Sequence, residues 1–367
     1  MPLAVPVPLL DLKKQYATLR DEIRAVTDEL FESQGFILGP KVEAFEKAIA
    51  EYVGAKHAIG MSSGTDAQLA AMMVLGIGPG DDVVTSPYTF FASAGAVVRL
   101  GARPVFCDID PMTCNVDPGR LAKAITPKTK AIQPVHLYGQ CADMDPILEV
   151  AKAKGIPVIE DACQSLGAAY KGRKAGSMAE FGAFSFFPSK NLGGFGDGGM
   201  VTTNDDGYAS TLRALRMHGE TSRYHHTLVG GNFRLDALQA VVLHVKLPYL
   251  DSWAEGRRRN AAEIERRFLE HGGRTYEDGG ISFPREAPGQ HHVYNQFVVR
   301  VARGRRDELK ERLAQLKIGH AVYYPVPLHL QECFRGLGGK SGDFPEAERA
   351  ALETLALPVF PELASSQ

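Results

Sequence analysis

Lys190 stands where an apolar run gives way to glycines, in Ser185-Phe186-Phe187-Pro188-Ser189-Lys190-Asn191-Leu192-Gly193-Gly194-Phe195-Gly196-Asp197-Gly198-Gly199. A lysine at a strand end with small neighbours suits a Schiff-base role, because burial tunes its amine. The order GxxxxGK[ST] is absent, since Lys190 precedes its glycines, and this disfavours a nucleotide P-loop. Upstream, Val158-Ile159-Glu160-Asp161-Ala162-Cys163-Gln164 ends an apolar run on Asp161, a carboxylate able to neutralise a cationic ring nitrogen. Further upstream lies Ser62-Ser63-Gly64-Thr65-Asp66. Gly64 permits a tight turn, and Thr65 and Asp66 are helix N-cap types. Free amides and a hydroxyl at a helix start form a phosphate site. Singly, each segment also reads as something plainer: a solvated lysine, an N-cap aspartate, a capped turn.

The elements that must position these residues alternate. Short β-branched runs, His57–Met61, Asp82–Ser86, Pro104–Cys107, Ala131–Leu137, Pro157–Glu160 and Gly182–Phe187, are separated by helical stretches, and Met200–Thr203 forms a further strand. In Pro40–Val53, Val42, Phe45, Ile49, Tyr52 and Val53 share one face and Pro40 suits the first helical position. The alternation predicts an α/β domain around a mostly parallel sheet, with ligands beyond the carboxyl ends of its strands. After Asp251 the character changes. Trp253–His271 reads as a charged helix whose run Arg257-Arg258-Arg259 is assigned to a solvated face. Val293–Val301 and Ala321–Tyr324 read as strands, with an amphipathic helix over Arg305–Lys317 between them. Residues 1–250 are expected to form a large domain and 251–367 a smaller α+β domain.

Composition narrows the function classes. The 367 residues carry 41 basic and 43 acidic side chains, net −2, which excludes a chain-wide electrostatic grip on nucleic acid or anionic membrane. Five cysteines, Cys107, Cys114, Cys141, Cys163 and Cys333, show no CxxC pair, so neither a disulfide framework nor a zinc site is expected. Met1 to Leu12 has no basic segment before its apolar residues, and no window approaches about 18 apolar residues, so a cytoplasmic protein without a membrane span is expected.

Together, a phosphate cup, a carboxylate for a ring nitrogen and an imine-forming lysine are the requirements of a pyridoxal 5′-phosphate (PLP) site. In this order they resemble the fold-type-I PLP enzymes related to aspartate aminotransferase. More narrowly, the sequence resembles the DegT/DnrJ/EryC1/StrS family of nucleotide-sugar aminotransferases. The resemblance runs through Gly35-Phe36-Ile37-Leu38-Gly39-Pro40, Ser63-Gly64-Thr65-Asp66-Ala67, Pro87-Tyr88-Thr89-Phe90, the Asp161 and Lys190 segments, Gly231-Asn232-Phe233-Arg234-Leu235-Asp236 and Tyr324-Pro325-Val326-Pro327-Leu328-His329. It implies a PLP-binding domain with a smaller C-terminal domain. Lys190 would bind the cofactor and shuttle the substrate proton, and Asp161 would pair with the pyridinium nitrogen. Gln164 would bond the cofactor's 3′ oxygen, Ser63, Gly64, Thr65 and Ser185 would hold the phosphate, and Phe90 would stack on the ring. Asn232 and Arg234 would come from the neighbouring subunit of a homodimer. The reaction would be ping-pong, with L-glutamate converting PLP to pyridoxamine 5′-phosphate and a nucleotide-linked keto-sugar then taking the amine.

Leu137-Tyr138-Gly139-Gln140-Cys141-Ala142-Asp143 and Arg223-Tyr224-His225-His226 are similar to enzymes that aminate C3 of a UDP-linked 2-acetamido-3-keto hexose or hexuronic acid. Arg234, His225, His226, Tyr323, Tyr324 and His329 are the implied substrate contacts. Where 3-aminating relatives often carry His before the second Tyr, this chain has Tyr323. Amination at C4, or of a dTDP-3-keto-deoxysugar, is the alternative, as is a non-catalytic regulator that keeps the fold. A sugar dehydratase of this fold would have His in place of Lys190.

Overall fold

Seven strands make one central sheet in the computed structural model, which describes residues 6–364. They are β1 (His57–Met61), β2 (Asp82–Thr85), β3 (Arg103–Phe106), β4 (Thr129–Gln133), β5 (Ile159–Asp161), β6 (Phe181–Ser185) and β7 (Gly199–Thr203). Their order across the sheet is β1-β7-β6-β5-β4-β2-β3. Parallel bridges from Ile132 to Val158 and from Val135 to Asp161 join its two halves. Only β7 runs antiparallel to its neighbours. The strands are buried almost throughout, which explains their near-continuous apolar runs: helices cover both faces of the sheet.

Helix α1 (Leu12–Ser33) precedes α2 (Pro40–Val53), which begins on Pro40 and ends at Gly54, whose φ of 79° serves the left-handed cap. Helix α2 buries Val42, Phe45, Ile49 and Val53 in the main core. Helices α3 (Gly64–Val74) and α4 (Ala92–Arg99) follow β1 and β2 and bring their first turns to the carboxyl edge of the sheet.

Beyond residue 250, strands Ile281–Ser282, Phe297–Val301 and Thr354–Leu357 form a second, antiparallel sheet. Its core unites Ala261, Phe283, Phe297, Val299, Leu355 and Val359. The start of the chain crosses to this part: Val7 N donates to Lys317 O at 3.0 Å and Gly319 N to Val7 O at 2.7 Å.

Four sequence expectations need correction. The strand expected over Ala131–Leu137 ends at Gln133, because Pro134 has no N–H for the ladder. The strand expected from Val293 begins at Phe297, since Val293 N is bound to Gly139 O and the Tyr294 and Asn295 carbonyls are taken by Arg257. Ala321–Tyr324 is no strand. It holds one bridge, Ala321 to Ala356, and a cis Tyr323–Tyr324 peptide. Finally, Arg257 is not solvated. The helix Leu250–Glu270 buries Ala254, Arg257 and Ala261 on one stripe, at three- and four-residue spacing, and leaves only Arg259 of the basic run exposed.

Candidate active site

The three segments singled out in the sequence meet at the carboxyl edge of the sheet, at the ends of β1, β5 and β6. Asp161 closes β5 and is 4% exposed. Its Oδ2 accepts from Ser93 Oγ at 2.7 Å, on the first turn of α4, and its Oδ1 accepts from Cys163 N at 3.2 Å. Ser93 also bonds Thr89 Oγ1 at 3.1 Å. Both carboxylate oxygens thus accept a hydrogen bond, which fixes the side chain's orientation.

Lys190 follows β6 in a turn closed by its own N–H to Phe187 O at 2.8 Å. Burial pulls its amine below the ordinary lysine value, and Cys163 and Asp161 pull the other way. Asp161 lies opposite Ala183 on the strand that leads into this turn, and burial favours the neutral amine that attacks a carbonyl.

The helix start differs in detail from the expectation. The cap of α3 is Ser63, not Thr65 or Asp66: Ser63 Oγ accepts from Asp66 N at 3.0 Å. Ser62 and Ser63 both donate to Asp66 Oδ2. Gly64 and Thr65 thus occupy the first turn, where their amides have no protein acceptor. A Cβ on Gly64 would lie 2.7 Å from Ser185 Cβ and 2.9 Å from Cys163 Sγ. Only glycine lets the helix start press against the end of β6. Gly199 serves the same contact from the other side, where a Cβ would meet Ser63 O at 2.3 Å. The cup is therefore two free amides, the Thr65 hydroxyl and Ser185 on one small surface.

Gln164 is held at both ends of its amide: Oε1 accepts from Tyr138 N at 2.7 Å and Nε2 donates to Tyr324 Oη at 3.0 Å. Tyrosines fix the strand-like segment behind it. Tyr88 Oη donates to Tyr323 O at 2.7 Å and accepts from Tyr324 N at 3.0 Å, and Tyr138 Oη donates to Tyr323 O. Phe90 is 56% exposed, with its ring 6.3 Å from that of Tyr324, so it is a wall of the site and not a core residue.

Other expected contacts are not joined to the Lys190 group within one chain. His329 is 2% exposed, bonds Glu348 Oε1 at 3.1 Å through Nε2 and packs edge-on against Phe344; none of these contacts is with the Lys190 group. His225 and His226 sit on an exposed hairpin, Glu220–Ser222 with His225–His226. Asn232 is exposed, while Arg234 pairs by backbone with Met61 and reaches Met217 Sδ with Nη1 at 3.6 Å. Three residues escaped the sequence reading: Ser93, Tyr138 as an anchor of Gln164, and Tyr88. Ser93 had a signal, since it lies one turn beyond Phe90 at a helix start.

A model of the DegT/DnrJ/EryC1/StrS aminotransferase family matches residues 17–367. The chain belongs to this family. It is 50% identical over 361 residues to "Pleiotropic regulatory protein" of Geobacillus stearothermophilus, covering 98% of this chain and 95% of that one. It is 42% identical over 357 residues to UDP-2-acetamido-2-deoxy-3-oxo-D-glucuronate aminotransferase of Pseudomonas aeruginosa, covering 97% and 96% of the two chains. The crystal structure of S. venezuelae DesV in complex with ketimine intermediate superposes with a TM-score of 0.93 at 43% identity, over 98% and 95% of the chains. The α/β fold-type-I architecture is thereby shown, and the chain is a sugar aminotransferase homologue whose family is PLP-dependent.

The residues fit that cofactor on their own geometry. The unpaired Gly64 and Thr65 amides match a phosphate, Asp161 a protonated ring nitrogen and Lys190 an aldehyde. Among the described residues there is no group of three or more metal-ligating side chains, and no helix is long and apolar enough to cross a membrane.

Proposed function

We propose that this chain transfers an amino group from L-glutamate to C3 of a UDP-linked 2-acetamido-3-keto hexose or hexuronic acid. The reading includes a ping-pong sequence, in the cytoplasm, by a homodimer whose sites lie at the subunit interface. The observation that supports it is that the ends of β1, β5 and β6 bring the Gly64 and Thr65 amides, Asp161 and the Lys190 turn to one edge of the sheet. The C3 and UDP assignment rests on the similarity to the Pseudomonas enzyme and to a UDP-N-acetyl-3-dehydro-α-D-glucosamine 3-aminotransferase.

Bound PLP supplies an electron sink for the bond broken at the substrate carbon. The chain does the rest. Gly64, Thr65, Ser63 and Ser185 would hold the phosphate, and Asp161, fixed by Ser93, would pair with the ring nitrogen. Gln164 uses one amide hydrogen on Tyr324 and has a second for the 3′ oxygen. Lys190 Nζ would bind the cofactor's aldehyde and would serve as the base that takes up and returns the substrate's proton. Phe90 covers the ring, and Asn232 and Arg234 reach in from the partner subunit. Tyr323 and Tyr324 face the sugar. We assign residues 1–250 to the cofactor domain, with the first residues crossing to the domain formed by 251–367.

The test is optical. PLP-loaded protein is offered L-glutamate, a UDP-3-amino sugar and a UDP-4-amino sugar separately. Loss of the yellow absorbance with glutamate and with the 3-amino sugar is the expected result, and loss with the 4-amino sugar instead overturns the C3 assignment. The name of the Geobacillus relative, a pleiotropic regulatory protein, favours a second reading, a regulator. That reading requires bound PLP with no absorbance change for any amine.

A further inference from the structure

Tyr88 is fully buried just beyond β2, and its hydroxyl joins the large domain to the segment after residue 250. Its backbone is pinned by Ser86 Oγ, which accepts from Tyr88 N at 3.0 Å and donates to Tyr88 O at 3.2 Å. Tyr88 Oη donates to Tyr323 O at 2.7 Å and accepts from Tyr324 N at 3.0 Å, so one hydroxyl holds both polar groups of the peptide joining those residues. With its single hydrogen on Tyr323 O, its 2.7 Å contact with Thr354 Oγ1 runs from the threonine. Tyr138 Oη donates to the remaining lone pair of Tyr323 O. The hydroxyl's hydrogen and both its lone pairs are therefore matched, in surroundings where a missing partner is costly. Burial pushes the Tyr88 and Tyr324 phenols above the ordinary tyrosine value, so this donor pattern holds at neutral pH.

The other end of this relay lies at the cofactor site. Tyr324 Oη accepts from Gln164 Nε2 at 3.0 Å, while Gln164 Oε1 accepts from Tyr138 N at 2.7 Å. The amide's orientation is thus fixed: oxygen toward Tyr138, one hydrogen on Tyr324, and a second hydrogen left to donate. Where that second hydrogen points depends on where Tyr324 stands. Tyr324 is held by its N–H on Tyr88 Oη and by its ring, edge-on to the Tyr88 ring at 6.2 Å. Leu328 N donates to Pro87 O at 2.7 Å, which ties the following residues to the same loop. Tyr88 thereby acts on Gln164 at one remove, through a contiguous chain of hydrogen bonds.

We propose that Tyr88 is a positioning residue of the cofactor site: its hydroxyl sets where Tyr324 stands, and through Tyr324 it orients the Gln164 amide toward the cofactor's 3′ oxygen. The proposal rests on the reading above, in which Gln164 meets that oxygen. A hydrogen bond is steeply directional, so a small shift of Tyr324 costs Gln164 its aim even though Tyr88 touches no part of the cofactor.

The experiment measures the affinity of the full chain, freed of cofactor, for PLP and for 3-deoxypyridoxal 5′-phosphate, which lacks only the 3′ oxygen. Wild type is expected to prefer PLP. Tyr88→Phe keeps the ring and removes the hydroxyl, and is expected to cut that preference about tenfold by weakening PLP alone. Thr354→Val removes another bond of the same hydroxyl while Tyr324 N stays paired, and is expected to keep the preference. A merely structural role weakens both compounds in parallel. That result, or an unchanged preference in Tyr88→Phe, overturns the proposal. In a Gln164→Ala background the preference is already lost, and Tyr88→Phe is expected to change it no further. A further loss there means Tyr88 acts by another route, and also overturns the proposal. If Tyr88→Phe does not fold, Tyr324→Phe removes the hydroxyl at the other end of the relay, and the same outcomes decide. Wild type without any preference refutes the contact between Gln164 and the 3′ oxygen on which the proposal rests. A preference present in wild type and retained in Tyr88→Phe refutes the positioning role alone.

Discussion

Ser93 Oγ donates to Asp161 Oδ2 at 2.7 Å, with both side chains buried. The serine sits on the first turn of α4 and the aspartate at the end of β5, so a helix following one strand steadies the carboxylate of another. A hydrogen bond to a charged group in such surroundings contributes about 1.5–3 kcal/mol. Ser93→Ala is expected to lower kcat/KM by roughly 10- to 100-fold, with PLP still covalently bound to Lys190. Steady-state rates and borohydride trapping of the cofactor read the two effects separately. An unchanged kcat/KM refutes the role.

Gly64→Ala tests the cup. The added Cβ would stand 2.7 Å from Ser185 Cβ and 2.9 Å from Cys163 Sγ. Overpacking of this kind costs about 1–3 kcal/mol, and relief requires α3 to withdraw from β6. The expected result is PLP affinity reduced at least about tenfold, while pyridoxal without the phosphate binds as before. Equal loss for both compounds contradicts a phosphate-specific role for the helix start.

Much of this was legible in the sequence because it is local. The helix Pro40–Val53 and the strand His57–Met61 are announced by periodicity, a proline and flanking glycines, and their bounds are those observed. Lys190 and Asp161 are legible because each ends an apolar run, where ligands gather. What was not legible depends on distant partners. Ser93 acquires meaning only through Asp161, 68 residues away. His329 looked available until the Glu348 carboxylate and the Phe344 ring closed on it. Arg257 reads as part of a solvated run until the helix stripe that carries it is seen to face inward.

Lys246 gives the chain a stability signature in alkali. Lys246 is 3% exposed; its ammonium donates to Gly193 O at 2.6 Å and lies over the Phe195 ring, and among the described residues no carboxylate pairs with it. Burial lowers its pKa from 10.5 to about 8. Below pH ~8 the lysine is protonated both folded and unfolded, and folding bears the full cost of burying the charge. Between about 8 and 10.5 the unfolded chain still binds the proton and the folded chain does not, so this group makes stability rise with pH. Relative to Lys246→Met, wild type is expected to gain stability from pH 7.5 to pH 9.5. Denaturant midpoints of both proteins at the two pH values measure it. Parallel pH profiles would mean the lysine titrates normally.

The proposed intersubunit role of Asn232 allows a test that a single chain cannot pass. Asn232 is exposed, on a segment whose backbone runs beside β1 through the Met61–Arg234 bridge, and no contact ties its side chain to its own Lys190. If it reaches the partner's phosphate instead, Lys190→Ala and Asn232→Ala damage different sites of one dimer. Each pure variant is expected to be nearly inactive, the first for want of the amine and the second for weak PLP binding. After subunit exchange, a mixed dimer has one site with both residues replaced and one with neither. An equimolar mixture, half of it mixed dimers, therefore recovers about a quarter of wild-type activity. Had Asn232 acted within its own subunit, every site in the mixture would lack one residue and nothing would return. Activity measured before and after exchange, at limiting PLP, separates the two arrangements.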